Sequence, residues 1–257
     1  MNNLKKYTYQ LKTLSKVILS PRQQQAFYRG IDFKKGEQGI DDNINVIYPF
    51  YQRGEYERYQ KDNQYYIPGS SIKGALLAPQ TFHPKLFVDD LPLETENIVL
   101  SQLNKLQNTG ENERQLKLNI FFPNVGIEMC EAGIELTNKG TLYSEKSPTS
   151  YFEKESDRTK KMIKKWLQSL GELYNSNEIG ENTEVKLNQT IYNLNLIQHQ
   201  QKLNKNTYLM FLGGYKGLLL SKVYKLNEET PQNGFFIDVD TYLPYGLVEI
   251  SEVSKSK

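Results

Sequence analysis

Residues 7–19, YTYQLKTLSKVIL, alternate apolar and polar positions and predict a first strand, which Pro21 and the polar PRQQQ run close. From residue 30 to 64 the chain is polar and tyrosine-rich. Only residues 44–50 look extended there, so a long loop with one short strand is expected. YYIPGSSIKGALLAPQ then reads as a strand end, a Pro68-Gly69 turn, an N-cap at Ser70 and a helix of about two turns stopped by Pro79. Residues 93–108 carry helical spacing through Ile98, Val99, Leu103 and Leu106, and NTGENERQ after them reads as an exposed loop.

LKLNIFFPNVGIEM reads as strand, bulged at Pro123 and Gly126, and AGIELTNKGTLYS as further strand around an Asn-Lys-Gly turn. The clearest helix is 156–174, with Ile163, Trp166, Leu167, Leu170 and Leu173 on one stripe and Lys161, Lys164 and Lys165 outside it. Residues 175–206 are rich in Asn and Gln and show no compelling period. TYLMFL and LLLSKV flank GGYKG as a hairpin, and FFIDVD and LVEI supply the last extended pieces. Strands and helices mix without a strict βα repeat, so the class expected is α+β.

The 257 residues suffice for one large body or two small ones. With 38% hydrophobic residues the core must be economical, and polar loops must carry much of the length. No run approaches a membrane span, and the charged start lacks the apolar stretch of a signal peptide, so a cytoplasmic protein is expected. Cys130, the single cysteine, lies among apolar residues, which predicts a buried, inert thiol. Thirty-two basic and 30 acidic side chains leave a net charge of +2, so any contact with nucleic acid must be local. Eighteen tyrosines suit half-buried sheets and wet interfaces, and also base stacking.

The segment YIPGSSIKGA concentrates anion-binding chemistry at one predicted helix start. Free backbone N–H groups, the Ser70 and Ser71 hydroxyls, the Lys73 ammonium and the helix dipole could hold a phosphate, with Gly69 and Gly74 removing side-chain bulk. On physics alone, a serine-capped helix with a solvated lysine is the more ordinary account of it. Gly213, Gly214 and Gly217 would let backbone approach a ribose-phosphate chain while Tyr215 stacks and Lys216 or Lys222 neutralises charge, though the same residues make a flexible hairpin turn.

YIPGSSIKGALLA closely resembles the signature of RAMP-superfamily subunits of type III CRISPR effector complexes, in which Pro-Gly-Ser-Ser, an aliphatic residue and Lys-Gly lead into a helix. YTYQLKTLSKVILSP resembles that family's opening strand, although PRQQQAFYRG replaces the Gly-rich element that often follows. LGGYKGLLLSKV resembles its glycine-rich loop, and LPYGLVEI resembles the ending of the type III-A subunit that caps the 3′ end of the CRISPR RNA. The middle of the chain contributes no motif of its own. The resemblance implies RRM-like (ferredoxin-like) units with long insertions, one at about residues 1–150 carrying the Pro-Gly-Ser-Ser motif and a second at 151–257 carrying the glycine-rich loop. It implies a structural subunit in antiviral defence that binds CRISPR RNA and the other subunits of the complex, with no cofactor, metal or membrane. Ser70, Ser71 and Lys73 would approach the RNA backbone, and a groove would run from there to the glycine loop.

Two alternatives stand beside this. Backbone subunits of such complexes cut target RNA with a loop aspartate, and GIDDNINVIYP places Asp41 and Asp42 in the corresponding interval, which would make the chain a metal-dependent endoribonuclease. A scaffold without RNA contact would use the tyrosines and polar loops for protein contacts. The two histidines, His83 and His199, show no partner constellation, and no cluster of His, Cys, Asp or Glu has metal-ligand spacing.

Overall fold

A computed structural model describes residues 4–21, 25–37, 39–54, 58–60, 63–78, 85–108, 116–174, 179, 181–204, 206–213 and 235–256. Its centre is a five-stranded antiparallel sheet ordered Tyr208–Phe211, Leu247–Lys255, Lys5–Thr13, Gly140–Ser144, Leu86–Val88. In the expected first strand the regular part is Lys5–Thr13, with Tyr7, Tyr9, Leu11 and Thr13 buried at alternate positions.

Among the described residues three α-helices accompany the sheets: α1 (Gly69–Leu77), α2 (Thr149–Tyr174) and α3 (Glu181–Leu203). Helices α1 and α2 pack against each other, and the core between them and the sheet holds Tyr9, Leu11, Ile72, Leu76, Leu86, Leu142 and Phe152. Burial of Ile72 and Leu76 stabilises the seat of α1 by about 1.5–3 kcal/mol each. Taking only Lys5–Thr13, α1, Leu86–Val88, Gly140–Ser144, α2 and Leu247–Lys255, the chain runs β-α-β-β-α-β. The strands lie in the order fourth, first, third, second, every neighbour antiparallel. Residue 150 falls in the first turn of α2, and the sheet draws strands from both sides of it.

Two further four-stranded sheets come from the long connections. One is ordered Phe27–Tyr28, Val46–Tyr48, Val125–Cys130, Ile98–Ser101; the other Leu243–Pro244, Phe235–Asp238, Asn104–Asn108, Leu116–Ile120. Helices α2 and α3 cover the second of these through Ile163, Trp166, Leu170, Leu187, Leu194 and Ile197, packed with Leu106, Leu118, Phe235 and Ile237. The class is α+β, as expected.

Several elements depart from the sequence pattern. Residues 93–108 are not helical beyond a single 3-10 turn, Thr95–Asn97; they form strands Ile98–Ser101 and Asn104–Asn108. Ile98–Ser101 pairs with Val125–Cys130, and Asn104–Asn108 pairs with Phe235–Asp238 on one side and with the next strand, Leu116–Ile120, on the other, partners that periodicity over a short apolar run does not reveal. The bulge expected at Pro123 is a full break at which the chain changes sheets. Helix α2 starts at Thr149 rather than 156, and α3 occupies most of the stretch that showed no period. The Tyr208–Phe211 half of the expected hairpin is a strand, while its LLLSKV half lies outside the described residues. No helix among the described residues is long and apolar enough to cross a membrane.

Candidate RNA interface

Helix α1 is held between the end of the Tyr66–Ile67 strand and the edge strand Leu86–Val88. Its N-cap is Pro68, not Ser70, and no side chain of the motif caps it. The Gly69 N–H instead donates to the carboxylate of Asp90, at 2.9 Å to Oδ1, while the Ser71 N–H donates to the Pro68 carbonyl at 2.9 Å. A carboxylate therefore already complements the positive end of α1 at its first donor, which leaves a smaller anion site there than the bare motif suggests. Asp90 lies in the polar turn after the edge strand, and nothing in the local sequence marks it as the cap.

The two motif glycines have different duties. A Cβ on Gly69 would lie 2.0 Å from the Val88 carbonyl oxygen, so this glycine lets α1 approach the edge strand. A Cβ on Gly74 would meet nothing within 4 Å, so that side of α1 is open. Ser70 and Gly74 are exposed and one turn apart, whereas Ser71 and Lys73 are half-buried. The Lys73 ammonium sits 5.6 Å from the centre of the exposed Phe87 ring, within cation–π range. Phe87 is paired with Tyr143, which is paired in turn with Lys6, so the three form one row across the sheet.

On the other side of the Pro68 turn, Arg53 lies 5.7 Å over the Tyr66 ring, which contacts Tyr51 at 5.8 Å. Burial, reinforced by the Asp90 and Tyr51 charges and opposed by Arg53, raises the Tyr66 pKa, so its hydroxyl remains a hydrogen-bonding group at neutral pH. Phe87, Arg53 and Tyr51 were not singled out from sequence, because only the fold brings them beside the motif, whose first residue is Tyr66.

Gly213 closes the Tyr208–Phe211 strand with φ +96°, and a Cβ there would lie 2.1 Å from the Ile18 carbonyl oxygen. Its glycine identity is thus accounted for by backbone packing. Gly246 repeats the device against the Leu212 carbonyl, with its N–H donating to Lys16 at 2.8 Å. The base of the glycine-rich loop is therefore a tight crossing of three backbone segments. Beside it the nearly buried Lys16 pairs with Asp240 and with the fully buried Asp238. Burial works against the Lys16 charge, but the Asp240 hydrogen bond and the charges of Asp238, Asp240 and Glu131 outweigh it, and its pKa is raised. Gly214, Tyr215, Lys216, Gly217 and Lys222 lie outside the described residues.

Asp41 and Asp42 are exposed. The Asp41 carboxylate accepts the Asn43 N–H at 2.8 Å, as in an Asx turn, and Asp42 lies 3.9 Å from the Lys35 ammonium. Among the described residues no group of three His, Cys, Asp or Glu side chains could hold a metal ion. His199 is exposed on α3, and His83 is outside the described residues. Cys130 is buried, as expected, and burial pushes its thiol up to about 12, which keeps it protonated at neutral pH.

No family model matches the chain, and no curated protein matches it. One solved chain of similar shape comes from a cryo-EM structure of a Csm–crRNA–target RNA ternary complex of a type III-A CRISPR-Cas system. It is 12% identical, with 95% of this chain and 100% of that one covered, at a TM-score of 0.48. At that score the likeness assigns neither family nor function.

Proposed function

We propose that this chain is a CRISPR RNA-binding structural subunit of a type III effector complex, built around one ferredoxin-like unit whose first and last strands come from the two ends of the chain. The observation that carries the proposal is the Pro-Gly-Ser-Ser-Ile-Lys-Gly segment on α1. It presents Ser70 and Gly74 openly, and Lys73 over Phe87, at the edge of a sheet in the order fourth, first, third, second. Hydroxyls, an ammonium and an open backbone suit contacts with phosphate and ribose, which position a strand without reading its bases. Exposed Phe87 and half-buried Tyr66 offer ring faces beside those contacts. The chain is read as binding RNA without cutting it, at the 3′ end of the CRISPR RNA and beside the other subunits.

Titration of fluorescent single-stranded RNA into the isolated chain at several salt concentrations tests this. Lys73→Ala is expected to weaken binding similarly across RNA sequences and to reduce the salt slope by roughly 0.7, the value for one phosphate on a single strand. Wild-type protein that shows no salt-dependent RNA binding would favour a protein scaffold, and an unchanged slope in the variant would remove Lys73 from the interface.

A further inference from the structure

Helix α3 is apolar on two sides. Inward it buries Leu187, Leu194 and Ile197 in the core it shares with α2. Outward, Val185 is 69% exposed, Tyr192 63%, Leu196 42% and Leu203 68%, with Gln189 and His199 exposed between them. These six positions advance in alternating steps of four and three residues, the heptad spacing that keeps one seam of a helix facing another helix. No Asp, Glu, Lys or Arg stands among them. A helix that covers a core on one side ordinarily turns a polar face to water, and a second apolar stripe is the mark of a second packing partner.

The stripe has the same order read from either end: apolar, polar, apolar, apolar, polar, apolar about a centre at residue 194. A two-fold axis at that centre sets Val185 against Leu203 of a second copy, Tyr192 against Leu196, and Gln189 against His199. The Gln189 amide nitrogen donates to Asn193 at 2.9 Å, which leaves the amide oxygen to accept from the His199 ring across the seam. Glu184 and Lys202 each precede a stripe residue by one position, so both lie on one flank, and the two-fold axis brings that flank of each copy together. Glu184 then approaches Lys202 of the second copy, and neither has an opposite charge within 4.0 Å among the described residues.

Charge also selects the direction. Lys202 stands with Lys160, Lys161 and Lys164 near one end of α3. A parallel pair would bring two such clusters side by side. The antiparallel pair separates them by about 24 Å along the axis at 1.5 Å per residue, beyond the range of Coulomb repulsion at physiological salt.

We infer that the outer face of α3 is the seam of a symmetric homodimer, in which two copies of the helix pair antiparallel about residue 194. The inference concerns the free chain and does not rest on the RNA-binding reading. A seam roughly 27 Å long covers on the order of 1,000 Å² over both copies, the low end for specific interfaces, which sets association in the micromolar range.

Sedimentation equilibrium of the full chain over about 1–200 µM tests it, with a dissociation constant on the order of 10 µM expected. Tyr192→Glu/Leu196→Glu sets carboxylates within the seam and is expected to weaken the dimer more than 100-fold, on the order of the cost of burying unpaired charges. Tyr192→Gln/Leu196→Gln, which adds no charge, repeats the measurement if circular dichroism shows the first variant to be less folded. Ile31→Glu, at an exposed apolar residue outside α3, leaves the dimer unchanged. Direction is read by disulfide formation, for which the buried Cys130 does not compete. Under mild oxidation a mixture of the Val185→Cys and Leu203→Cys proteins should cross-link between the two variants, and neither should cross-link by itself. A wild-type chain that is monomeric at the highest concentration overturns the inference. So does a dimer that survives the seam variants or is lost equally in Ile31→Glu, since the contact then lies elsewhere or is unspecific. Cross-linking of either cysteine variant alone, or none in the mixture, overturns the antiparallel pairing about residue 194.

Discussion

Gly69 and Gly74 stand five residues apart in one motif, and alanine at each should act in opposite directions. A Cβ on Gly69 would sit 2.0 Å from the Val88 carbonyl oxygen and 2.6 Å from its carbon, where ordinary contact begins at 3.4 Å, so α1 would have to retreat by about 1.4 Å. The obstacle is backbone of a paired strand and has no rotamer through which to yield. Overpacking of this kind costs about 1–3 kcal/mol. The same retreat stretches the 2.9 Å bond from the Gly69 N–H to Asp90, and hydrogen bonds to charged groups contribute about 1.5–3 kcal/mol. A combined loss of about 3 kcal/mol follows, which for a chain of this size lowers Tm by roughly 6–12 °C. Gly74→Ala meets open space in a helix and should raise stability by about 0.5–1 kcal/mol. Because an RNA strand crossing α1 would meet the new methyl group, its RNA affinity should nonetheless fall several-fold. Differential scanning calorimetry and RNA titration of both variants provide the check. A Gly69→Ala protein melting within 2 °C of wild type, on the order of 1 kcal/mol, would refute the packing role. A Gly74→Ala protein with undiminished RNA affinity would take that face of α1 out of the interface.

Asp238→Ala should cost about 3–5 kcal/mol in denaturant titrations. It removes the acceptor of the Lys16 N–H at 3.0 Å and of the Thr241 hydroxyl at 2.9 Å, and it leaves the nearly buried Lys16 with less compensation. Because the Lys16 pKa is raised above the ordinary 10.5, its contribution is fully present at neutral pH and is lost only as pH rises through that raised value. Glu128 is buried, which raises its pKa although Tyr65, the Phe50 N–H and Tyr59 bond to it. Its contribution is therefore greatest below the ordinary carboxylate pKa and declines as pH rises through the folded value, a trend that Glu128→Gln should abolish in urea titrations across pH. Asp41→Ala and Asp42→Ala should leave RNA binding unchanged, and no RNA cleavage should appear in the isolated chain with or without Mg²⁺. Target cleavage by an assembled complex that vanishes in either variant while binding survives would replace the capping reading with that of a backbone nuclease.

Where one face of an element is apolar and the other polar, the sequence was enough. Strand Lys5–Thr13 buries Tyr7, Tyr9, Leu11 and Thr13 at its period of 2, helix α2 buries Ile163, Trp166 and Leu170 of the stripe its period of 3.6 selects, with Leu167 half-buried, and the Pro68-Gly69 turn leads into α1 where the motif places it. Helix α3 shows why the same rule fails nearby. Its buried stripe is Thr183, Leu187, Thr190, Leu194, Ile197 and Gln201, so half of the inward positions are polar. Val185, Tyr192, Leu196 and Leu203 are exposed on the opposite side, and the two faces cancel. No pattern analysis separates them without knowing which face the sheet covers.

By itself, the sequence determined the α+β class, the opening strand, the long amphipathic helix, the buried thiol and the one motif on which a function can be built. Each depends on neighbours a few residues away. Tertiary structure alone decided that residues 93–108 pair as strands, that Asp90 rather than Ser70 serves the start of α1, and that Gly69 is a packing residue while Gly74 is free. It also decided that Lys160, Lys161 and Lys164 meet Lys202 across a cleft, because hydrogen bonds, close backbone contacts and Coulomb forces act through space between residues the chain keeps far apart.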